Sequence, residues 1–173
     1  MIPISWRNVK SWNCIDWGKC CRDYQVVLNF NEWVKIVRHY GVEATKPGIS
    51  NLYLGKKSDG TCIFLTKLGN NYFCGLQNMK SKACKIWPFK IFASPKHGTP
   101  REGLYTYRDR NFFVYVDPAC IGLSWGQPSQ EFKCNTLPEF IDIAAGLREK
   151  QFHSTSKIQY RPHPYAFRGR KLV

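Results

Sequence analysis

Short stretches of patterned apolar and polar positions along this chain each specify an element before any chemistry is considered. Tyr24-Gln-Val-Val-Leu28 is rich in β-branched residues and reads as a strand. After it, Trp33, Ile36, Val37 and Tyr40 fall at the i, i+3, i+4, i+7 spacing of one helical face, with Asn31 as the cap and Gly41 as the stop. Asn51-Leu-Tyr-Leu54 and Thr61-Cys-Ile-Phe-Leu65 flank the Gly55 to Gly60 turn and predict a hairpin that buries Cys62. A helical turn is expected between Cys74 and Cys84, stopped by Pro88. Leu104-Tyr-Thr-Tyr107 and Asn111-Phe-Phe-Val-Tyr-Val116 straddle Arg108-Asp109-Arg110 and predict a second, aromatic-faced hairpin. Thr136-Leu-Pro-Glu139 has the form of a capping box, and Phe140, Ile143 or Ala144, and Leu147 continue its helical stripe. The expected fold is one small α+β domain of short strands and two or three helices over residues 1–150, followed by an extended tail at 151–173.

Composition is compatible with that fold and narrows the class. Apolar residues make up 43% of the 173 and aromatics 15%, enough for a real core and too many for a disordered or collagen-like chain. No stretch approaches the roughly 18 apolar residues of a membrane span, and the first residues lack the apolar core of a secretion signal, so a cytoplasmic protein with no membrane partner is expected. Charge changes the picture more. The net charge is +14, which makes a polyanion the natural counterpart. Residues 62–100 hold 6 basic side chains and 151–173 hold 5, neither with an acidic one.

Eight cysteines, Cys14, Cys20, Cys21, Cys62, Cys74, Cys84, Cys120 and Cys134, are many for a reducing compartment. Metal or iron–sulfur ligation, disulfides, and buried thiols acting as small hydrophobes all account for them. No Cys-x-x-Cys occurs, so the knuckle in which one tight turn supplies two zinc ligands is absent. Adjacent Cys20 and Cys21 are expected to diverge and serve different centres or different ions of one cluster. An iron–sulfur cluster accepts ligands from scattered segments more readily than a single Zn²⁺, so a 4Fe-4S cluster is the favoured cofactor and zinc the alternative.

Cys14-Ile-Asp-Trp-Gly18-Lys-Cys20-Cys21, then Cys62-Ile-Phe-Leu65, Cys74, and Cys84-Lys-Ile-Trp-Pro88-Phe89 resemble, in order, the CxxCxxCC cysteine-cluster family (YkgJ-like), described as a zinc- or iron-chelating domain. Cys120-Ile-Gly122-Leu-Ser-Trp-Gly126 matches a later element of that family at its cysteine and two glycines. The resemblance covers about residues 14–126 and implies that the cysteines are metal ligands. Some members are protein-lysine methylases acting on flagellin, so a methylase-like or redox enzyme is the alternative function it implies. Against the family pattern, the first cysteine spacing is longer, Lys80-Ser81 stand where Arg-Pro is usual, and Ile121 and Ser124 replace Pro and Gly.

The remaining residues point to binding and not to catalysis. The four histidines lie at unrelated spacings, and no glycine-rich nucleotide loop, Ser-His-Asp or Cys-His order, or metal-hydrolase His-Glu pattern occurs. No small-molecule substrate is identified. In the tail, Lys157, Tyr160, Arg161, Tyr165, Phe167, Arg168, Arg170 and Lys171 alternate basic and aromatic character around Pro162 and Pro164. Such a chain can follow a phosphate backbone while its rings stack on exposed bases. Lys80, Lys82 and Lys85 would join it from a loop held by cysteine-bound centres. RNA is the expected partner, in the ribosome or another ribonucleoprotein.

Overall fold

The computed structural model describes residues 2–76 and 79–153. Along the chain run β1 (Ile4–Ser5), β2 (Val9–Trp12), α1 (Lys19–Arg22), β3 (Val27–Leu28), α2 (Phe30–Tyr40), β4 (Thr45–Pro47), β5 (Leu52–Leu54), β6 (Leu65–Leu68), β7 (Asn71–Cys74), α3 (Lys82–Ile86), β8 (Phe89–Phe92), α4 (Pro100–Gly103), β9 (Leu104–Tyr107), β10 (Arg110–Val116), β11 (Leu123–Trp125) and α5 (Leu137–Ala145). The α+β class is as expected, with five α-helices among the described residues in place of two or three. The additional ones, α1, α3 and α4, are only four or five residues long and too short to carry a helical period. The elements gather into two compact units, residues 16–84 and residues 2–15 with 85–153.

In the second of these, β10 is the central strand. It pairs antiparallel with β8 along one edge and with β9 and then β1 along the other. The predicted hairpin β9–β10 forms, and its connection is just Arg108 and Asp109, both at positive φ, as a two-residue turn matched to strand twist requires. β2 pairs separately with β11. The core is aromatic: Phe140 on α5 lies 4.3 Å from Phe89 and 5.1 Å from Trp12, centroid to centroid. Leu137, Phe140 and Ile141 are fully buried against it.

The capping box expected at Thr136–Glu139 does not form. Thr136 is buried with helical dihedrals and makes no side-chain cap, because a π-helical turn at Phe132–Thr136 carries the helix upstream of it. Ser129 caps instead, its Oγ accepting from the Phe132 amide at 3.1 Å. Cys134 therefore sits within the helical run and not ahead of it.

The 16–84 unit holds a three-stranded antiparallel sheet in the order β3–β5–β4, a β6–β7 hairpin, and α2. Asn29, not Asn31, caps α2. Its Oδ1 accepts from the Glu32 amide while Glu32 Oε2 accepts from the Asn29 amide, each at 2.9 Å, a reciprocal box. The hairpin predicted between 51–54 and 61–65 is replaced, because β5 is paired on both edges by β3 and β4. Residues 65–68 turn instead at Gly69, which has φ +60°, and pair with β7. One bridge between Lys56 and Cys62 remains of the predicted register.

Candidate thiolate metal centre

Five of the eight predicted ligands, Cys20, Cys21, Cys62, Cys74 and Cys84, belong to the 16–84 unit, and each is placed by its own local device. Gly18 starts α1 in the left-handed region at φ +68°, and a Cβ there would lie 2.9 Å from Tyr72 Cβ. Glycine is thus required on both counts. From it α1 projects Cys20 and Cys21. The Cys62 amide donates to the Cys21 carbonyl at 2.7 Å, tying the two segments together. Cys74 ends β7 opposite Leu65. Cys84 lies on α3, where its amide donates to Ser81 Oγ at 3.3 Å. Glu32, already engaged at the start of α2, accepts the Lys82 amide through its other oxygen at 2.6 Å and so fixes α3 as well.

The thiols feel one another. Cys20 and Cys21 do not diverge: their sulfurs lie 3.8 Å apart. Donation from Cys21 holds the Cys20 thiol below its usual range, helped by the Lys80 ammonium. The same contact, with burial and the charges at Cys20, Cys74 and Cys62, pushes Cys21 up. Burial pushes Cys62 up to about 11, with Cys74 and Cys20 adding to it. Burial likewise raises Cys74, against the pull of Lys80. Cys84 is raised by burial and by Cys74, Cys62 and Cys20. Five thiols, Cys62 buried and the other four half-buried, thus influence one another's charge. All eight cysteines are free thiols, and among the described residues no three Cys, His, Asp or Glu side chains converge closely enough to hold a metal ion as they stand.

The other three predicted ligands lie in the other unit, each in a different setting. Cys120 is a core residue whose sulfur accepts from Trp12 Nε1 at 3.3 Å. Cys134 is exposed in the π-helical turn and accepts from Gln130 Nε2 at 3.1 Å. Cys14 is exposed, two residues before the 16–84 unit begins.

Lys80, expected at an RNA surface, is corrected by the fold: it is 8% exposed, and its charge acts on Cys20 and Cys74. Lys82 is exposed and Lys85 half-buried. Lys157, Tyr160, Arg161, Tyr165, Phe167, Arg168, Arg170 and Lys171 lie outside the described residues. Sequence reading missed a second basic surface. The Arg22 guanidinium lies 5.3 Å from the Trp17 ring and 5.2 Å from the Tyr72 ring, with Lys19 over Trp17 and Lys67 over Tyr72. Trp17 is exposed. The signal was present in Trp17-Gly-Lys-Cys-Cys-Arg22, but its partner Tyr72 is brought in through the backbone, by the Tyr72 amide donating to the Asp16 carbonyl at 2.9 Å.

No family model, curated protein or solved structure matches this chain. Fold and site together define a small basic α+β protein with a half-buried group of free thiols. Among the described residues no helix is long and apolar enough to cross a membrane.

Proposed function

We propose that this chain is a thiolate metal-binding protein that docks on RNA. The metal ligands are drawn from Cys20, Cys21, Cys62, Cys74 and Cys84. The observation that carries this reading is the gathering of five free, charge-coupled thiols in a unit of 69 residues. Burying these thiols together makes Cys21, Cys62, Cys74 and Cys84 harder to ionise, and a bound cation reverses that penalty. The sulfur separation at Cys20 and Cys21 suits a single ion, since thiolates 2.3 Å from zinc stand about 3.8 Å apart across a tetrahedron. A 4Fe-4S cluster is the second reading, favoured by ligands that come from four separate stretches of chain. A tetrathiolate around a divalent ion carries a double negative charge, which buried Lys80 offsets.

The RNA half of the proposal is supported by charge and by the Trp17, Arg22 and Tyr72 stack. Phosphate neutralisation gives affinity without base readout, and an exposed tryptophan beside cations offers a platform for an unstacked base. Exposed Lys82 and the five basic residues of 157–171 add positive charge for phosphate, and ribosomal RNA is the most abundant candidate. Serine at Cys21, Cys62, Cys74 or Cys84 is expected to lower the metal content of the purified chain, with serine at Cys134 leaving it unchanged. Equal metal content in all five variants would remove the assignment. RNA affinity is expected to fall steeply as salt rises, and a flat dependence would remove the RNA half.

A further inference from the structure

The aromatic and basic stack around exposed Trp17 and the group of thiols are built on the same pieces of backbone in the 16–84 unit. In α1, Lys19 and Arg22 stand three residues apart and share one face, and Cys20 and Cys21 fall between them. The two sulfurs lie 3.8 Å apart, while the Arg22 guanidinium lies 5.3 Å from the Trp17 ring and 5.2 Å from the Tyr72 ring. In β7, Tyr72 and Cys74 are two residues apart and point to the same side of the hairpin. Lys67, directly opposite Tyr72 across that hairpin, sits over its ring. The third piece is the bridge between Lys56 and Cys62. Exposed Lys56 donates through Nζ to the Arg22 carbonyl at 3.4 Å, and the Cys62 amide donates to the Cys21 carbonyl at 2.7 Å. Each thiol-bearing piece thus also carries a cation or a ring of the stack.

A helix of four residues does not hold its own shape in water, because nucleation costs more than so few hydrogen bonds return. Two of the four residues of α1 are thiols. Tying them through a metal to Cys62, Cys74 or Cys84 pins the helix to the hairpin that carries Tyr72. The same tie fixes Lys19 and Arg22 relative to the Trp17 and Tyr72 rings. Lys19 is shared with Asp23, its neighbour one turn on, so Arg22, Lys56 and Lys67 supply most of the charge that a phosphate would meet.

We infer that metal uptake by the thiols and RNA binding at this stack are coupled: loading orders α1, and the ordered stack takes an unpaired base on Trp17 with the adjoining phosphates on Arg22, Lys56 and Lys67. The coupling presupposes both halves of the proposed function and adds a direction to them. Charge alone predicts the opposite direction. Four thiolates on a divalent ion add two negative charges near the stack, an effect that buried Lys80 offsets only in part. Tighter RNA binding on loading is therefore the signature of ordering, and weaker binding the signature of charge. Coupling between two sites runs to about 5- to 150-fold and is reciprocal, so RNA tightens metal binding by the same factor.

The test is a binding cycle on the full chain, stripped of metal by anaerobic chelation and titrated with a single-stranded RNA of about twelve nucleotides, with and without stoichiometric Zn²⁺. Zn²⁺ is expected to tighten RNA binding about tenfold, and the RNA to tighten Zn²⁺ binding by the same factor. Trp17→Ala, which removes an exposed ring, is expected to weaken RNA binding by the loaded chain and to shrink the Zn²⁺ effect to less than about twofold. A duplex of the same sequence offers no unpaired base and is expected to gain nothing from Zn²⁺. Equal or weaker RNA binding with Zn²⁺, in a chain that binds each ligand alone, overturns the coupling and leaves the proposed function standing. An equal Zn²⁺ effect in wild type and Trp17→Ala overturns it too, since loss of folding without metal would act on both alike. A chain that binds no Zn²⁺, or no RNA, removes the corresponding half of the proposed function and the coupling with it.

Discussion

Replacing Cys120 with alanine separates a cysteine that packs from the cysteines proposed to ligate. Cys120 is 7% exposed in the core built from Trp12, Phe89, Phe132 and Phe140, and its sulfur is the acceptor for Trp12 Nε1. Alanine removes the acceptor and leaves a buried indole N–H unpaired, at a cost of about 1–3 kcal/mol. The sulfur-sized void adds less than about 1 kcal/mol. The sum, about 1–4 kcal/mol, is to be read as a shift of the urea unfolding midpoint followed by tryptophan fluorescence, with unchanged slope. Cys120→Ser restores an oxygen acceptor and should recover part of the loss. Metal per chain, measured by mass spectrometry on the same preparations, should be identical in wild type and both variants. Loss of metal in Cys120→Ala would refute the reasoning, since it would make this sulfur a ligand and the Trp12 bond a tuning contact.

Phe140→Ala, which empties a fully buried ring site against Trp12 and Phe89, should cost about 3–5 kcal/mol in the same urea assay. The metal-free chain should lose stability between pH 9 and pH 11. Cys62 is raised from an ordinary 9.0 to about 11 on folding, so the folded state holds a proton that the unfolded state has released, and the advantage present below pH 9 disappears as pH passes 11, by about 3 kcal/mol. Urea midpoints across that range check the sign. Deleting residues 157–173, which carry five basic side chains, should weaken association with ribosomal RNA and flatten its salt dependence without changing metal content. Co-sedimentation across a salt series measures both.

The elements that were legible in the sequence carry their own signal. The stripe at Trp33, Ile36 and Tyr40 is local, as is the hairpin around Arg108-Asp109, and both form. Errors arose where tertiary pairing decided the outcome. Leu52–Leu54 alternates like a hairpin strand, yet both its edges are taken by β3 and β4, and the Gly69-Asn70 turn claimed the next apolar run for a different partner. Thr136-x-x-Glu139 has the letters of a cap, but Ser129 seven residues earlier had already capped the helix. At the candidate site, the cysteine pool was legible and its grouping was not. Nothing in the spacing shows that α1 turns Cys20 and Cys21 so that their sulfurs lie 3.8 Å apart. Lysine is rarely found inside a core, and Lys80 is buried where its charge acts on Cys20 and Cys74.

The most direct test of the metal-centre proposal is anaerobic purification of the full chain followed by metal, acid-labile sulfide and free-thiol analysis on one sample. Thiolate-bound metal is expected in stoichiometric amount, with at least four thiols withheld from alkylation until a chelator or acid releases them. Zinc without sulfide would identify a single-ion centre, and iron with equimolar sulfide a cluster. A metal-free chain that is folded, and whose Cys20, Cys21, Cys62, Cys74 and Cys84 alkylate alike before and after chelation, would contradict the account.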